Sequence, residues 1–394
     1  MARIAFCWEL GRGLGHIVPH LDLIRRLVAR GDEVVFLAQD PARVESVFRH
    51  ENFTVCPLAH GHTPVADRMR NADSFPQVLF NSGFHDADVV HARLLEVLAT
   101  LERAAPDILV CDYAPTVMLA NHVARRPLVL SGYGFWNPPR SVPMPRFRYW
   151  LGPPAESFVE REATVLAVIN DAGRRIGIAP FGTFAEFFTA DRLWLCTYEE
   201  LDSYAGRADG HYLGMFTDHD FGTPPQWPNA HGLKVFAYLT PGRTGLAALA
   251  ALAAQPVSVC LYAPRLADAE AKNLPPGMFH RCTTPVSLPA VARECHAFVN
   301  NGNLSTATVA LLAGRPQLCL PESAEQYLNA RRIELLGAGL AAPQRDPGHI
   351  AGKLQAILHE PDYARAAGRF ARKYAARRLG DRTEYMLADL DTWC

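Results

Sequence analysis

The sequence has almost no net charge, no long uninterrupted apolar run and no closely spaced pair of cysteines. Its 394 residues carry 39 Lys and Arg against 40 Asp and Glu, a net charge of −1, so a polyanionic partner such as nucleic acid is not expected. The most apolar stretch, residues 245–264, is interrupted by Gln255-Pro256 and is too broken to span a bilayer. The first residues enter a strand directly, without the apolar segment of a secretion signal. We therefore expect a cytoplasmic protein with no membrane span.

The cysteines give no sign of a disulfide framework. There are nine, an odd number, and no two have the CxxC spacing. Most lie in or beside apolar runs that are typical of strands, as in ILVCDY and PQLCLP. This pattern predicts buried, reduced thiols, which are usual in the cytoplasm.

The apolar runs themselves alternate between strand and helix patterns in both halves of the chain. Such alternation is typical of parallel, doubly wound α/β sheets, and the length favours two domains. We expect a first Rossmann-like domain over residues 1–215 and a second over 233–375. The Gly/Pro-rich, non-periodic segment 216–232 is the expected linker. A final helical segment, 376–394, is expected to pack back on the first domain.

Two polar residues in the first half follow predicted strands. His16 closes the loop GRGLGH after the first strand, and Asp112 ends the strand ILVCD. In a doubly wound sheet both positions open onto the ligand-binding edge. His16 is expected at a helix start, where the neutral imidazole of a general base is favoured, and Asp112 could hold its second ring nitrogen. The alternative is that His16 and Asp112 only cap local structure, and the local pattern favours neither interpretation.

The glycine loop also resembles half of a dinucleotide fingerprint, with Asp40 at the end of the second strand. The third glycine falls at the wrong spacing, so an NAD site is the weaker interpretation.

Two segments, residues 60–100 and 133–190, are predicted to be irregular and are rich in His, Phe, Trp and Pro. Long loops at this edge commonly form substrate pockets, and we expect Tyr133, Phe135 and Trp136 to contact an apolar or carbohydrate-like acceptor. The alternative is that these aromatic side chains only pack the loops onto the domain.

The second half contains the most informative stretch, residues 297–340. Its pattern predicts a strand, a polar loop and a helix, followed by a second strand, polar loop and helix. The first loop is Asn300 to Asn303 and the second contains Glu325-Gln326. A helix N-terminus beside the carboxyl end of a strand favours anions. The stretch therefore predicts half of a nucleotide-phosphate site, followed by a polar pair for the next group of the ligand.

The chain resembles the GT-B glycosyltransferases, and family 1 in particular, over nearly its whole length. The resemblance rests on several short motifs that occur in the same order as in that family. That family includes bacterial macrolide and natural-product glycosyltransferases, plant glycosyltransferases and UDP-glucuronosyltransferases. It has an Ala-Gly-Val-Pro turn, an Asp-Gln pair and an Asn-Ala pair, which appear here as Ala313–Pro316, Glu325-Gln326 and Asn329-Ala330. It also has an N-terminal Gly-His, matched by Gly15-His16, and an Asp matched by Asp112.

The resemblance implies a GT-B fold, with two Rossmann-like domains that face a central cleft, and an inverting transfer. His16 would take a proton from a hydroxyl or amine of a small natural-product-like acceptor, with Asp112 holding the imidazole. The donor would be a UDP- or dTDP-sugar, without a cofactor or metal, because amides and a helix terminus would neutralise the leaving group. The protein would be a monomer or homodimer. The donor-binding residues that the resemblance implies are Gly15, Thr240, Val286, Asn301, Gly302, Asn303, Ser305, Thr306, Glu325 and Gln326.

Three positions depart from the family pattern. Asn301 stands where the family has a phosphate-loop His, Val309 where it commonly has an acidic residue for the ribose, and Glu325 where it has Asp. One lost charge-assisted contact costs roughly 1.5–3 kcal/mol, which is enough to change donor preference. The departures at Asn301 and Val309 leave a non-catalytic GT-B scaffold protein as an alternative. A sugar-nucleotide epimerase on the same fold is another.

Overall fold

The computed structural model describes residues 1–11, 13–49, 51, 53–58, 65, 68–69, 72–153, 156–204, 206–215, 222–229, 231–342, 349–377 and 379–394. The chain divides into two compact units. Unit 1 consists of Met1–Gly214 with Gly380–Cys394, and unit 2 of Met215–Leu379. The sequence placed these divisions at residues 215 and 376. Of the expected linker, residues 216–221 and 230 lie outside the described residues, and residues 222–229 belong to unit 2.

Unit 1 alternates strands with helices along most of its length. Its elements are β1 (Arg3–Trp8), α1 (Leu21–Ala29), β2 (Glu33–Ala38), α2 (Pro41–Val47), β3 (Thr54–Pro57), α3 (Phe75–Phe80), α4 (Ala87–Ala104), β4 (Ile108–Asp112), α5 (Pro115–Ala124), β5 (Leu128–Gly132), α6 (Glu156–Arg174), α7 (Phe184–Phe187), β6 (Arg192–Leu195) and β7 (His211–Tyr212). The seven strands form one sheet in the order β3-β2-β1-β4-β5-β6-β7. All its strand pairs are parallel. The strand order reverses between β1 and β4, and such a switch point is where open α/β sheets bind ligands.

Unit 2 repeats this plan with a smaller sheet. Its elements are β8 (Leu233–Tyr238), α8 (Arg243–Ala253), β9 (Val257–Tyr262), α9 (Asp268–Ala271), β10 (Phe279–Cys282), α10 (Leu288–Glu294), β11 (Ala297–Asn300), α11 (Leu304–Leu312), β12 (Gln317–Cys319), α12 (Ala324–Leu335), β13 (Gly339–Ala341), α13 (Ile350–His359) and α14 (Pro361–Tyr374). The six strands are parallel, in the order β10-β9-β8-β11-β12-β13. The order reverses between β8 and β11. The expected α/β class with two doubly wound sheets is confirmed.

The last helix of the chain, α15 (Leu379–Leu390), belongs to unit 1 from Gly380 onward. Two polar contacts hold it there. Asp389 Oδ2 accepts a hydrogen bond of 2.7 Å from the indole of Trp194 in β6, and the Asp389 carboxylate pairs with Arg192. The chain therefore returns to the unit in which it began.

The prediction that residues 60–100 and 133–190 are irregular is wrong for two long helices. α4 buries Val90, Leu94, Val97 and Leu101, an i, i+4, i+7, i+11 spacing that the sequence already carries. Asp86 caps the helix by accepting a hydrogen bond of 2.8 Å from the backbone of Asp88. α6 was overlooked as well, because the neighbouring Pro- and Trp-rich residues hid its pattern. β6, β7 and the short β13 were also not predicted.

One helix of unit 2 begins earlier than its apolar pattern predicts. From the sequence we expect the last helix of the stretch 297–340 to begin near Tyr327, whereas α12 begins at Ala324. The start of α12 is fixed by a capping box, in which Ser323 accepts from the backbone of Gln326 and the Gln326 side chain accepts from the backbone of Ser323. Capping chemistry overrides apolar spacing at this helix start.

All nine cysteines lie in described residues and carry free thiols. Seven of them are buried, as the apolar context predicted, while Cys56 is half-buried and Cys394 is exposed. Of the helices in the described ranges, none combines the length and apolar character needed to cross a bilayer.

Candidate active site

His16 and Asp112 meet at the switch point of the unit 1 sheet. β1 and β4 are hydrogen-bonded neighbours, with Trp8 in register with Asp112. His16 lies eight residues after Trp8, and its Nδ1 is 2.7 Å from Asp112 Oδ1. Both side chains are buried, at 5% and 2% exposure. An imidazole held through Nδ1 by a carboxylate has Nε2 left for proton transfer, as in other His–Asp pairs.

The helix expected at His16 is not an α-helix. Leu14–His16 and Val18–His20 form two consecutive one-turn 3₁₀ helices, and α1 begins only at Leu21. Pro19 lacks a backbone N–H, so a regular helix cannot pass through this position with its full set of hydrogen bonds. His16 therefore ends a 3₁₀ turn, and the predicted stabilisation by a helix N-terminus has no structural basis here.

Asp112 does not cap the helix that follows it. The backbone N–H of Thr116, in the first turn of α5, instead donates to Glu9 Oε2 at 2.7 Å. The Oδ2 atom of Asp112 is buried without a hydrogen-bond partner among the described residues. Burial raises the pKa of Asp112, while the attraction and hydrogen bond of His16 oppose the rise. Among the described residues, the Asp112 carboxylate is therefore hydrogen-bonded only to the His16 imidazole.

Two glycines make room for this pair. Gly132, at the end of β5, has a φ of +110°, and a Cβ there would lie 2.7 Å from Asp112 Oδ2. Gly11 has a φ of +87°, and a Cβ there would lie 2.4 Å from His16 Nε2. The glycine loop therefore has a role beyond a tight turn, because a side chain at Gly11 would collide with His16 Nε2.

Aromatic side chains surround His16. Its ring centroid lies 5.7 Å from that of Trp8 and 5.8 Å from that of Trp136. Trp136 stacks on Tyr113 with ring centroids 4.1 Å apart. Of the three residues expected to contact the acceptor, only Trp136 is half-exposed, whereas Tyr133 and Phe135 are 8% and 3% exposed. Trp136 is therefore the one best placed to offer a surface to a ligand.

A second buried pair lies next to the first. His20 Nε2 is 2.8 Å from the hydroxyl of Ser131 in β5, and both residues are buried. Burial, reinforced by the positive charge of Arg382, lowers the pKa of His20 to about 3, and the nearby backbone of His16 offsets this only in part. His20 is therefore a neutral imidazole at physiological pH.

At the switch point of the unit 2 sheet, Asn301 joins two loops. Its Oδ1 accepts a hydrogen bond of 3.1 Å from the backbone N–H of Thr240, which follows β8. Its Nδ2 donates to the carbonyl of Leu320, just after β12, also at 3.1 Å. The side chain is 3% exposed. Asn301 thus fixes the loops at this edge, and a direct contact between its amide and a donor stays a prediction.

The loop after β11 is held just as closely. Gly302 has a φ of +79°, and its carbonyl accepts a hydrogen bond of 3.0 Å from Asn329 Nδ2. Gln326 Nε2 donates to Asn303 Oδ1 at 2.9 Å, while its Oε1 accepts from the backbone of Glu322 at 2.8 Å. The Gln326 amide is therefore engaged in capping α12, and its role as a sugar ligand stays a prediction. Glu325, its neighbour in the first turn of α12, is half-exposed.

The N-terminus of α11 has no side-chain cap. Asn303 occupies the cap position without a hydrogen bond from its side chain to the helix backbone. The first N–H groups of a helix have no partner within the helix, so an anion is favoured at that position. Ser305 is half-exposed and Thr306 is buried in this first turn. This arrangement fits the expected diphosphate contact.

The segment expected to meet the nucleotide base is covered on one side. Thr223 forms a parallel bridge with Val286, and its N–H donates to the carbonyl of Pro285 at 2.9 Å. Val286 and Val309 are 5% and 6% exposed and belong to one apolar cluster with Phe236 and Phe298. Val309 is therefore a core residue of unit 2. In the described ranges, no three His, Cys, Asp or Glu side chains come together as a metal site would require.

Several known proteins that this chain resembles are glycosyltransferases. The family model of the erythromycin biosynthesis protein CIII-like C-terminal domain matches residues 246–381. A rhamnosyltransferase of PGL/p-HBAD biosynthesis from Mycobacterium bovis is 27% identical over 304 residues, which cover 72% of this chain and 67% of the relative. Elloramycin glycosyltransferase ElmGT from Streptomyces olivaceus is 28% identical over 371 residues, 90% of this chain and 89% of the relative.

The fold agrees with these sequence relationships. The structure of spinosyn rhamnosyltransferase SpnG in complex with spinosyn aglycone matches 99% of this chain and 100% of that one, with a TM-score of 0.73 at 20% identity. The chain is a glycosyltransferase with the GT-B fold, and it is similar to the natural-product members of family 1. The resemblance drawn from its motifs is confirmed, and with it the sugar-transferring activity.

Several residues of the glycosyltransferase site were missed by sequence reasoning. His20 and Ser131 have no local pattern that indicates contact, because 111 residues separate them. Glu9 could have been noticed, since it is an acidic residue directly after a buried apolar strand. The capping role of Gln326 could also have been found, because Ser323–Gln326 has the S-x-x-Q form of a capping box.

The loop after β11, which we expect to bind the donor, depends on Gly302. We expect Gly302→Ala to lower the free energy of unfolding by about 1–3 kcal/mol and to weaken donor binding. The reasons are the positive φ and a Cβ that would lie 2.7 Å from the carbonyl oxygen of Gln326. Urea unfolding and calorimetry with a nucleotide sugar measure the two effects. Gly352→Ala in α13 is the matched control, because a Cβ there meets nothing within 4 Å. That control should stabilise its helix by roughly 1 kcal/mol.

The glycosyltransferase should also lose stability in mild acid through His20. Its pKa is about 3 in the folded state and 6.5 when exposed, so between these values the unfolded chain binds more protons. Stability then falls with decreasing pH by up to about 1.4 kcal/mol per pH unit. Between pH 7 and pH 5 we expect a loss of about 2 kcal/mol that is absent in His20→Gln. The raised pKa of Asp112 acts in the opposite sense, but it is common to wild type and His20→Gln.

Urea unfolding followed by tryptophan fluorescence measures this difference, because five of the six tryptophans lie in unit 1. His122, whose pKa is also lowered by burial but which is only half-buried, contributes equally to both proteins. Equal pH slopes for wild type and His20→Gln would contradict the assignment.

Proposed function

We propose that the protein transfers a sugar, with inversion, from a nucleoside diphosphate sugar to a hydroxyl or amine of a small natural-product-like acceptor, and that His16 is the general base. The observation that carries the proposal is the buried contact of 2.7 Å between His16 Nδ1 and Asp112 Oδ1. A general base must be neutral before the reaction and stabilised once protonated. A buried carboxylate on the opposite ring nitrogen supplies that stabilisation.

The proton path follows from the tautomer that Asp112 selects. With Nδ1–H donating to the carboxylate, Nε2 carries the lone pair that accepts the acceptor proton. The acceptor oxygen or nitrogen then attacks the anomeric carbon as the bond to the diphosphate breaks. Attack from the face opposite the leaving group inverts the configuration. Gly11, which presents no Cβ near Nε2, leaves space for the acceptor atom.

Unit 2 would bind the donor without a metal ion. The N-terminus of α11, which has no side-chain cap, offers N–H groups for the two phosphates. Such fixed dipoles stabilise the charge that develops on the leaving diphosphate. The segment at Val286 would meet the base, and UDP and dTDP are the two proposed nucleotides. Glu325 is the proposed ligand of the sugar hydroxyls.

Unit 1 would bind the acceptor on the aromatic side of His16. The half-exposed Trp136, stacked on Tyr113, offers an apolar face 5.8 Å from the His16 ring centroid. The same unit has the cysteine pattern of a cytoplasmic protein, with buried free thiols at Cys7, Cys111 and Cys196. A cytoplasmic location also fits a nucleotide-sugar substrate.

A panel of UDP-, dTDP- and GDP-sugars tests the proposal. Calorimetry identifies which donor binds, and mass spectrometry of reactions with an acceptor library identifies the product. We expect one uridine or thymidine donor to bind without added metal, in the presence of a chelator, and to yield a glycosylated acceptor. Absence of binding for every nucleotide sugar would overturn the proposal. Release of a free, epimerised sugar without an acceptor would replace it with the epimerase alternative.

The aromatic residues beside His16 should separate into binding and packing roles. We expect Trp136→Ala to raise the acceptor KM by about tenfold with little change in stability, because a stacking surface worth roughly 1.5 kcal/mol is lost. Phe135→Ala should instead lower the free energy of unfolding by about 3–5 kcal/mol, since Phe135 is 3% exposed and stacks on Phe147. Steady-state kinetics and urea unfolding of both variants provide the comparison. An unchanged acceptor KM in Trp136→Ala would exclude it from the acceptor site.

A further inference from the structure

We propose that His20 is a positioning residue for the transfer: its hydrogen bond to Ser131 fixes the segment that carries His16 against β5, the strand that also confines Asp112. The inference rests on the proposed function, in which His16 is the base. His20 contacts no reacting atom in this scheme. It acts by holding the distance between the two members of the buried pair.

The contacts form a closed ring. His16 and His20 end two consecutive 3₁₀ turns, so only three residues lie between them. His20 is bonded to Ser131 at 2.8 Å, and Ser131 is followed by Gly132. A Cβ on Gly132 would lie 2.7 Å from Asp112 Oδ2, so this backbone is in contact with the carboxylate. Asp112 is bonded to His16 and completes the ring. Both members of the pair are therefore located by the same strand.

The residues of this closed ring of contacts are buried. His20 is 2% exposed and Ser131 is fully buried. The His20 imidazole also contacts Phe6, with ring centroids 5.4 Å apart. A buried hydrogen bond is lost outright when one partner is removed, and the remaining partner is left unsatisfied. An apolar side chain of similar size can fill the volume of His20 without fixing the orientation of the turn.

Arg382 holds the same turn from the other side. Its Nη2 donates to the carbonyl of Pro19 at 2.7 Å, and its Nη1 donates to the carbonyl of Gly214 at 3.3 Å. Arg382 lies in α15 and is 5% exposed. The last helix of the chain thus reaches the residue that precedes His20. Arg382 therefore has a positioning role as well, but it acts on His16 through the turn that contains Pro19 and His20.

The test compares His20→Leu with His20→Gln. Leu fills the space but makes no hydrogen bond, whereas the amide of Gln can reach Ser131 much as Nε2 does. Because a misplacement of about 1 Å can cost a hundredfold in rate, we expect His20→Leu to lower kcat by about tenfold to a hundredfold with the donor KM unchanged. Gln should restore most of the loss. Phe6 and the other neighbours are the same in both variants.

Nuclear magnetic resonance of the His16 imidazole supplies a readout that does not depend on turnover. In wild type, the Nδ1 proton should show the strong downfield shift of a hydrogen bond to a carboxylate. This signal should weaken or move in His20→Leu and return in His20→Gln. If His20→Leu does not fold, Ser131→Ala, which removes only the hydroxyl, takes its place with the same expectations. His122→Leu is the matched control in unit 1.

An unchanged His16 signal together with an unchanged kcat in folded His20→Leu would overturn the inference. So would equal losses in the Leu and Gln variants, because the hydrogen bond would then be irrelevant. Failure of the proposed function is distinguishable: it appears as absence of binding for every nucleotide sugar, whereas full turnover in His16→Ala would remove only the role of His16 as base. The effect of His20 on the His16 signal is measured whatever that turnover is.

Discussion

Replacing His16 with Ala should lower kcat by about a hundredfold to ten-thousandfold, the range that a positioned general base contributes. This corresponds to roughly 3–5 kcal/mol of transition-state stabilisation. The donor KM should stay nearly the same, because the proposed donor contacts other than Gly15 lie in unit 2, between Thr240 and Gln326. Steady-state kinetics with a saturating acceptor, together with donor calorimetry, separate the two quantities.

The control for this result is His122→Ala. His122 also lies in unit 1, and its ring makes an edge-to-face contact with Phe181, with centroids 4.7 Å apart. It therefore tests the loss of a partly buried histidine outside the site. A His16→Ala enzyme with normal turnover and intact donor binding would leave the glycosyltransferase assignment in place but remove the base.

Replacing Asp112 with Asn should also abolish most turnover, with a loss of about a hundredfold to ten-thousandfold. The Asn amide can donate to His16 Nδ1, which leaves the imidazole in the wrong tautomer, with its proton on Nε2. A neutral amide also cannot stabilise the imidazolium that forms during the reaction. The change should act on kcat and not on donor binding.

Stability distinguishes this loss of chemistry from a loss of structure. Burial raises the pKa of Asp112, so the ionised carboxylate is unfavourable in its folded environment, and the neutral Asn avoids that penalty. We expect the free energy of unfolding of Asp112→Asn at pH 7 to equal or exceed that of wild type. Urea unfolding measures it. A marked loss of stability would mean that Asp112 holds the fold of unit 1, which would contradict a mainly catalytic role.

The sequence is most informative where local pattern and topology coincide. Alternating strand and helix patterns predicted both sheets, and parallel strands bring the residues after their carboxyl ends to one edge. His16 and Asp112 could therefore be paired, although they lie 96 residues apart. The motif order gave the family. These inferences need no knowledge of side-chain packing.

Other features depend on packing and escaped prediction. The bond between His20 and Ser131 requires the path of a 3₁₀ turn that apolar spacing cannot give. The engagement of Asn301 with Thr240 and Leu320 requires three loops to be placed to within a few tenths of an ångström. α4 was missed although its spacing was present, because its neighbours are irregular. The difference is between elements that a segment specifies alone and contacts that several segments specify together.

The neutral amide of Asn301 has a consequence for how the enzyme responds to acid. The family carries a histidine at this position, and a histidine beside a diphosphate would gain charge as the pH falls through the usual range for an imidazole. Here the side chain cannot titrate, and it bonds to Thr240 and Leu320. Capture of the substrate nucleotide should therefore be indifferent to proton concentration over that range. Acid would then slow the enzyme while it stays fully loaded with donor, so that inhibition at low pH is not relieved by more nucleotide sugar.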